Sequence, residues 1–251
     1  METLFIGTNV IFLSETESTN SYAIELLKNV KVINGTVVHT YNQTKGRGQR
    51  GNTWMSENAR NLTFSVILTN DILGSFNQFY LSKIAALACY DLMAHYLNSS
   101  QFDIKIKWPN DILVNAQKIG GILIENVFNG QKLQYSVIGI GLNINQLNFD
   151  GIANATSIAK LSSEINIDEA LKVFYRYLEK YALFLKQQKL DVINELYFAR
   201  LYGYKSILPF KLNQQVINFF LDGVNTDGKL KLLDEKKQIC LFDNKGIEFI
   251  L

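Results

Sequence analysis

Apolar residues recur every three or four positions in several segments of the chain, which predicts amphipathic helices. The first such segment follows Ser18, a residue type that suits a helix N-cap. The longest segments run from about Phe76 to Leu97 and from Asp168 to Lys186, and a shorter one runs through LDVINELYFARL. These segments are the predicted helices.

Other segments are apolar at alternate positions or throughout, which predicts strands. GTVVHT, from Gly35 to Thr40, is rich in β-branched residues, and NLTFSVIL further on alternates apolar with polar residues, as a half-buried strand does. IKIKW ends at Pro109, whose ring breaks a ladder. ILVN and KIGGILIEN flank a short connector at Ala116, which predicts a hairpin. QYSVIGIGLNIN has the clearest strand pattern of all.

The pattern changes after Gly203. Short alternating segments follow one another there, separated by the turn signals DG, TDG and DNKG, which is typical of a small all-β unit. We therefore place a domain boundary near Tyr202, with domains at residues 1–202 and 203–251.

Composition narrows the class of protein. A chain of 251 residues with 47% hydrophobic content can bury the core of one large domain and a small one. The net charge is +2, and outside one loop the cations are interspersed with acids, which argues against a surface that tracks nucleic-acid phosphates. Cys89 and Cys240 have no metal-ligand spacing, so we expect neither a zinc site nor a disulfide framework. The chain shows no signal peptide and no apolar run long enough for a membrane, so we expect a cytoplasmic protein.

The exceptional loop reads TKGRGQRGNTW, residues 44–54, and is called the basic loop below. It is either a solvated surface loop or an anion-binding lid. Gly46 and Gly48 flank Arg47, so the backbone can approach a ligand closely while the guanidinium offers a fork of donors to a phosphate. A mobile loop of this kind suits a lid that orders on binding. Trp54, at its far end, is either a core residue or a stacking surface for a purine.

Polar residues at two predicted element ends offer further binding groups. Ser18, Thr19 and Asn20 begin a helix, where they either cap it or bind a small polar heterocycle or a carbonyl. In KWPND the proline forces a turn that projects Asn110 and Asp111 from a strand end, either as an ordinary surface turn or as part of a site.

Glycines interrupt two of the predicted strands. Lys118 precedes Gly120 and Gly121, and GIGLNIN places Gly139 and Gly141 on one face of a central strand. Strand glycines mark a bulge or a close approach, so these strands leave room for a ligand beside the lysine ammonium.

In this order and spacing the segments resemble the catalytic domain of the biotin protein ligases, enzymes that adenylate biotin and attach it to a carrier-protein lysine. KWPND followed by K-x-x-GIL-x-E is quite specific to that family. The matching segments are STN at Ser18 to Asn20, Gln43 with GRGQRG at Gly46 to Gly51, Trp54, KWPND at Lys107, KIGGILIE at Lys118, GIGLNIN at Gly139, ATS at Ala155 to Ser157 and GVNTDGKLKL at Gly223.

The resemblance implies an α+β fold: a mixed β-sheet packed by helices, related to class II aminoacyl-tRNA synthetases, with a small C-terminal SH3-like β-barrel. It also implies substrates and a partner. These are biotin, ATP with Mg²⁺ as co-substrate, and a biotin carboxyl carrier protein of acetyl-CoA carboxylase or a related biotin-dependent carboxylase. No protein-held metal and no tightly bound cofactor are expected.

The resemblance assigns roles to individual residues. Arg47, Lys118 and Asp111 would be catalytic, the two cations contacting carboxylate and phosphate and Asp111 receiving the incoming lysine amine. The biotin site would comprise Ser18, Thr19, Asn20, Gln43, Gly46, Arg47, Gly48, Gln49, Lys118, Gly120 and Gly121. The nucleotide site would comprise Arg47, Arg50, Trp54, Asn110, Lys118 and Asn143.

The chain departs from the family pattern in two respects. Gln49 stands where some relatives have arginine, so the basic loop carries one fewer cation. The chain begins at the catalytic domain, without the winged helix-turn-helix of the repressor-type ligases, so we expect no binding to operator DNA.

Two other functions stay open. Lipoate or octanoate ligases share the fold and the acyl chemistry, and a non-catalytic biotin- or nucleotide-binding regulator could keep the fold without turnover. We expect His39 and His95 to be structural.

Overall fold

The structure is a computed structural model, and it describes residues 3–69, 72, 78–152 and 154–251, except the side chain of Arg50. The strands of its larger part are β1 (Val10–Leu13), β2 (Thr36–Thr40), β3 (Gly46–Arg47), β4 (Thr53–Trp54), β5 (Leu62–Thr69), β6 (Ile104–Lys107), β7 (Asp111–Val114), β8 (Gln117–Asn129) and β9 (Lys132–Leu142). The helices are α1 (Thr19–Asn29), α2 (Phe79–Tyr96), α3 (Ile158–Leu161), α4 (Ile167–Lys186) and α5 (Leu190–Arg200).

Seven of these strands form one mixed sheet in the order β1-β2-β5-β9-β8-β7-β6. β1 and β2 pair in parallel and the other neighbours pair antiparallel. The predicted hairpin is confirmed, since Asn115 and Ala116 form its turn with φ of 50° and 60°. The predicted start of a helix at Phe76 lies outside the described residues, and the described helix begins at Phe79.

Helices cover the two faces of the sheet unequally. On one face, Ala23 of α1 packs with Val38 and Ile67, which alternate along their strands with residues of the opposite face. On that opposite face Phe64 meets Phe174 of α4 edge to face, with ring centroids 5.0 Å apart, in the core that α2 and α4 close. Because α1 is short, it leaves part of its face uncovered.

The prediction that β5 is half-buried is wrong. Its burial is nearly continuous, and the polar residues Thr63 and Ser65 are 3% and 0% exposed. They lie on the α1 face, where helix and site residues cover them. A polar side chain that alternates with apolar ones therefore marks, in this strand, the floor of a site and not the solvent.

The C-terminal sheet is antiparallel and has five strands. This confirms the small all-β unit. One of its predicted turns is wrong, because the Asp222-Gly223 pair lies inside a strand, where the pairing register shifts at Gly223 and its φ is 138°. The strands of this C-terminal sheet are β10 (Ile207–Leu212), β11 (Gln215–Val224), β12 (Leu230–Leu233), β13 (Ile239–Phe242) and β14 (Glu248–Phe249). They lie in the order β13-β12-β11-β10-β14.

The C-terminal sheet packs directly on the larger part. Trp108 Nε1 donates to the Gly228 carbonyl at 2.9 Å, and the Tyr202 amide donates to the Ile106 carbonyl at 2.8 Å. Phe210 and Leu221 belong to the same buried apolar cluster as α2 and α4. The division into domains at Tyr202 stays a prediction. Within the described ranges, no helix combines the length and apolar character that crossing a bilayer requires.

Candidate active site

A cleft of about 500 Å³ opens on the part of the sheet that α1 leaves uncovered. Its floor is formed by Thr63, Gly121, Gly139 and Gly141, which lie on the same face of three neighbouring strands. Its walls come from the start of α1, the basic loop, the KWPND turn and the C-terminal sheet. Segments far apart in sequence thus enclose one cavity.

The start of α1 forms the polar wall of the cleft. Ser18 caps the helix and accepts a hydrogen bond from the Ser21 amide at 3.4 Å, while the Thr19 amide donates to Gln43 Oε1 at 2.9 Å. Ser65 Oγ lies 2.7 Å from Thr19 Oγ1 and 2.6 Å from Asn20 Oδ1. Capping and binding are therefore compatible, because the same side chains that order the helix end also line the cleft.

Asn20 is held at two points on β8. Its Nδ2 donates to the Leu123 carbonyl at 3.1 Å and to Glu125 Oε2 at 2.8 Å. A Cβ at Gly139 would collide with the Asn20 side-chain oxygen. The glycine at 139 is therefore required so that Asn20 can lie against the sheet.

The basic loop closes over the cleft as a small hairpin in which β3 pairs with β4. Arg47 forms an ion pair with Glu125, with Nη2 and Oε2 2.6 Å apart. Gly46 packs behind the loop, where a Cβ would lie 2.6 Å from the side-chain amide nitrogen of Gln43. Gly46 does not line the cleft, but its lack of a side chain lets β3 lie close to the Trp54 backbone and to the Gln43 side chain.

Trp54 occupies the space over the strand glycines. A Cβ at Gly141 would lie 2.6 Å from the indole nitrogen, and one at Gly121 would lie 3.4 Å from the ring. We expected these glycines to leave room for a ligand. In the structure the Trp54 indole fills the space against Gly141. The indole Nε1 is buried and has no hydrogen-bond partner among the described residues.

The opposite side of the cleft holds a cluster of three charged residues. Lys118 Nζ is 2.6 Å from Asp111 Oδ1, and Lys107 Nζ is 3.6 Å from the other carboxylate oxygen. The Lys118 ammonium also lies 5.8 Å from the centroid of the Trp54 ring, within range of a cation–π attraction. This side of the cleft therefore presents a paired carboxylate between two ammonium groups.

A β-bulge places Lys118 in this cluster. Ile112 pairs with Gly120 while the next residue, Leu113, pairs with Lys118, so Ile119 is the extra residue. Without the extra residue, the alternation of the strand would turn Lys118 to the opposite face from Asp111. The glycines after Lys118 therefore mark both a bulge and a close approach.

Some of the predicted site residues lie elsewhere. Asn143 is 4% exposed behind the cleft wall, where its Nδ2 donates to the Thr156 carbonyl at 3.0 Å. Gly120 faces away from the cleft, toward Leu142. Asn110 lines the cleft while its Nδ2 donates to the Ile122 carbonyl at 3.0 Å. The Arg50 side chain lies outside the described part of the structure.

The sequence reasoning missed Glu125 and the contribution of the C-terminal sheet. Glu125 is the final residue of the K-x-x-GIL-x-E motif, which was the available signal for it. The C-terminal residues had no comparable signal. Those that line the cleft are Lys211, Asn213, Gln214, Asn244, Lys245, Gly246, Ile247, Glu248 and Phe249.

His39 lies away from the cleft, as expected for a structural residue. It is 4% exposed and contacts Phe12 and Tyr41, with ring centroids 5.8 and 5.1 Å away. Burial lowers its pKa from the ordinary value, against the smaller raising effect of Asp168. His95 packs edge to face on Tyr96.

Comparisons with known proteins point to one family. The model of the biotin/lipoate A/B protein ligase family matches residues 12–143. The chain is 34% identical over 175 residues to the bifunctional ligase/repressor BirA of Bacillus spizizenii, an alignment that covers 68% of this chain and 52% of the relative. It is 28% identical over 222 residues to the chloroplastic biotin–protein ligase 1 of Arabidopsis thaliana, covering 86% and 60% of the two chains. The chain thus spans little more than half of the length of these relatives.

Among solved structures, the biotin protein ligase from Aquifex aeolicus in complex with biotin and ATP superposes with a TM-score of 0.78. The superposition covers 97% of this chain and 100% of that one at 23% sequence identity, which establishes a shared fold. The expected α+β architecture is therefore confirmed. Since the family model also matches more than half of its residues, the chain belongs to the biotin/lipoate A/B protein ligase family.

Proposed function

We propose that the chain activates biotin with ATP to biotinyl-5′-adenylate and transfers the biotinyl group to a lysine of a biotin carboxyl carrier protein. The observation that carries this proposal is that Arg47 and Lys118 reach one cleft from opposite walls, beside the polar start of α1. The relatives named as biotin–protein ligases support the choice of substrate. The proposal includes a biotin carboxyl carrier protein as acceptor, a cytoplasmic location and a separate domain at residues 203–251, which rest on the sequence and on family membership.

In the first step, a biotin carboxylate oxygen attacks the α-phosphorus of ATP, and the bond to pyrophosphate breaks. Two anions must approach each other, so the cations of Arg47 and Lys118 offset their repulsion and stabilise the charge on the transferring phosphoryl group. Each charge-assisted hydrogen bond contributes about 1.5 to 3 kcal/mol. ATP enters as its magnesium complex, which is a substrate.

Both cations are already paired in the structure, Arg47 with Glu125 and Lys118 with Asp111, each at 2.6 Å. The substrate anions therefore replace the carboxylates of Glu125 and Asp111 as partners of the two cations, which are never unpaired. This exchange keeps both cations oriented before binding and lowers the cost of ordering them.

At the polar wall, Ser18, Thr19, Asn20 and Gln43 supply the donors and acceptors for the biotin rings. Their network fixes the orientation of these groups before the ligand arrives, because each hydroxyl or amide already has a partner. The carboxylate end of biotin then points toward Arg47 and Lys118. Trp54 lies between the polar wall and the charged side of the cleft. It would contact the nucleotide with the ring face that is turned away from Gly141.

In the second step the acceptor amine loses a proton and attacks the acyl carbon, and the acyl–phosphate bond breaks to release AMP. Asp111 accepts this proton. When Lys118 turns to the phosphate, it leaves the Asp111 oxygen with which it was paired free to do so. Lys107 remains 3.6 Å from the other oxygen and holds the carboxylate in place. The mixed anhydride is destroyed by water, so the basic loop must cover it until the carrier arrives.

Pyrophosphate exchange tests the first step. The purified chain is incubated with ATP, Mg²⁺ and labelled pyrophosphate, together with biotin, lipoate or octanoate in parallel. The proposal expects exchange with biotin and formation of biotinyl-adenylate. Exchange supported by lipoate and not by biotin would identify a lipoate ligase.

Transfer needs a separate measurement. A biotin carboxyl carrier domain is added, and its mass is followed by mass spectrometry, with a carrier whose target lysine is replaced by arginine as the control. Biotin binding without exchange or transfer would identify a non-catalytic regulator and end the proposal.

A further inference from the structure

Thr44 and Lys45, at the start of the basic loop, bond to residues 16 and 17, and the rest of the loop is held by contacts of three different kinds. Trp54 packs on the strand glycines, Arg47 forms an ion pair with Glu125, and Gln49 meets the C-terminal sheet. In the last contact, Asn244 Nδ2 donates to Gln49 Oε1 at 2.5 Å. The two residues are 195 positions apart, so this contact joins the loop to a different part of the fold.

The Gln49–Asn244 contact differs from the Arg47–Glu125 ion pair because it is uncharged. When Arg47 turns toward a substrate anion, its ion pair with Glu125 must weaken. A bond between two neutral amides is less strongly displaced by a phosphate or a carboxylate, because neither partner carries a charge that the anion neutralises. It can therefore persist while the substrate or the adenylate occupies the cleft.

The position of Asn244 also suits a role in closure. It lies in the turn at residues 243–246 that leads into β14, and both this turn and Gln49 line the cleft. Gln49 begins the short 3-10 helix Gln49–Gly51 at the tip of the loop. The contact therefore lies at the tip of the loop, where opening would begin.

We propose that the Gln49–Asn244 hydrogen bond is a latch through which the C-terminal sheet holds the basic loop closed. In the second part, which rests on the proposed function, the same latch slows the loss of the reactive adenylate before the carrier arrives. Gln49 and Asn244 are positioning residues in this account, since neither needs to touch a reacting atom. Gln49 thus replaces a cation at this loop position by a neutral contact with the protein itself.

Limited proteolysis of the ligand-free chain tests the latch without any assumption about activity. Trypsin cleaves after lysine and arginine, and its cut after Arg47 requires β3 to leave its pairing with β4. Gln49→Ala and Asn244→Ala should each speed cleavage in the loop roughly three- to tenfold, the effect expected from one net hydrogen bond. The double variant should be cleaved no faster than the faster single one, because both changes remove the same bond.

The control is Gln238→Ala, which removes an exposed amide from the β12–β13 turn of the same sheet. It should leave the rate of loop cleavage unchanged. Because Gln49→Ala alters only the loop, it keeps the test decisive if Asn244→Ala lowers the melting temperature. Cleavage of both single variants at the wild-type rate, or multiplicative effects in the double variant, would overturn the latch.

A second set of variants exchanges amides for carboxylates. Gln49→Glu keeps an acceptor for the Asn244 amide, and Asn244→Asp keeps an acceptor for the Gln49 amide after a flip of that side chain. Each single variant should therefore retain slow cleavage. The double variant places two carboxylates face to face and should open the loop, and slow cleavage of the double variant would contradict a specific bond.

Retention of the adenylate tests the second part. The release of preformed biotinyl-adenylate into solution should accelerate roughly three- to tenfold in Gln49→Ala and Asn244→Ala, whereas Gln238→Ala should change neither this release nor initial pyrophosphate exchange. If the wild-type chain forms no adenylate, the proposed function fails, but the proteolysis result still decides the latch. If adenylate forms and its release is unchanged in proteolytically open variants, the role in retention is refuted.

Discussion

The two cations of the cleft have similar surroundings but very different supports. Lys118 and Arg47 each pair with a carboxylate at 2.6 Å, and their side chains are 40% and 44% exposed. Lys118, however, lies on the 13-residue strand β8 inside the seven-stranded sheet, whereas Arg47 lies on the two-residue strand β3. One cation is fixed by the register of a large sheet and the other depends on a small loop.

This difference suggests a division of labour. A position fixed by a sheet does not move between catalytic steps, so Lys118 suits the chemistry itself. A position on a short hairpin opens at a low cost in free energy, so Arg47 can admit the substrates and then close over them. Variants that separate the chemical step from retention of the adenylate test this difference between Lys118 and Arg47.

The largest effect is expected for Lys118→Ala. Removing the sheet-borne cation should slow pyrophosphate exchange roughly 100- to 1000-fold, as when one preorganised donor is lost from a transition state. The melting temperature should change little, because the side chain lies at the edge of the cleft and outside the core. Lys105→Ala, which removes a half-buried lysine of β6 that pairs with Asp103, is the control. Unchanged exchange in folded Lys118→Ala would remove the assigned role.

Asp111→Ala should act on the second step. Transfer to the carrier should slow by roughly 100-fold, the lower range for a general base, while exchange falls less. Single-turnover transfer from preformed biotinyl-adenylate measures this directly. Asp111→Asn keeps the shape of the side chain without its basicity and should show the same defect. Equal losses in both steps would argue against a dedicated role in transfer.

Arg47→Ala should slow exchange by only about tenfold, because one charge-assisted contact is lost while Lys118 remains. Release of the adenylate should accelerate as well, since the loop also loses its ion pair with Glu125. The two rates are measured on the same preparation, with Arg47→Lys to restore the charge alone. A loss of exchange rate as large as that of Lys118→Ala, with normal retention of the adenylate, would contradict the division of labour. The different backbone positions of the two cations would then have no effect on catalysis.

The smallest effect is expected for Glu125→Gln. The amide keeps an acceptor for Asn20 but removes the charge that faces Arg47. Partly exposed ion pairs contribute about 0.2 to 1 kcal/mol, so loop cleavage by trypsin should rise no more than about fivefold. Effects on exchange should be of similar size. A loss comparable to that of Arg47→Ala would show that Glu125 has a direct role in catalysis.

The sequence predicted the features that depend on near neighbours. The cap at Ser18, the hairpin at Ala116 and the helix through Phe174 follow from local spacing and turn chemistry, and the structure contains all three. The motifs around Lys118 and Arg47 also predicted that a cation would reach the site from each segment. The cleft contains both.

The features that were missed depend on the path of the chain in space. The glycines after Lys118 indicated a bulge or a close approach but not which residue is extra, and it is the extra residue Ile119 that sets the direction of Lys118. The Asp222-Gly223 pair carries the residues of a turn, yet the glycine serves a bulge within β11. Gln49 and Asn244 are 195 positions apart in the sequence, so no periodic pattern indicates their contact.

A double-mutant cycle on biotinyl-adenylate formation tests the central claim, which is that Arg47 and Lys118 act on the same pair of reacting anions. The rates of the wild type, Arg47→Ala, Lys118→Ala and the double variant are measured with saturating biotin and ATP. We expect the double variant to lose less than the product of the two single losses, because both cations stabilise one transition state. Independent, multiplicative losses, or adenylate formation that needs neither residue, would contradict it.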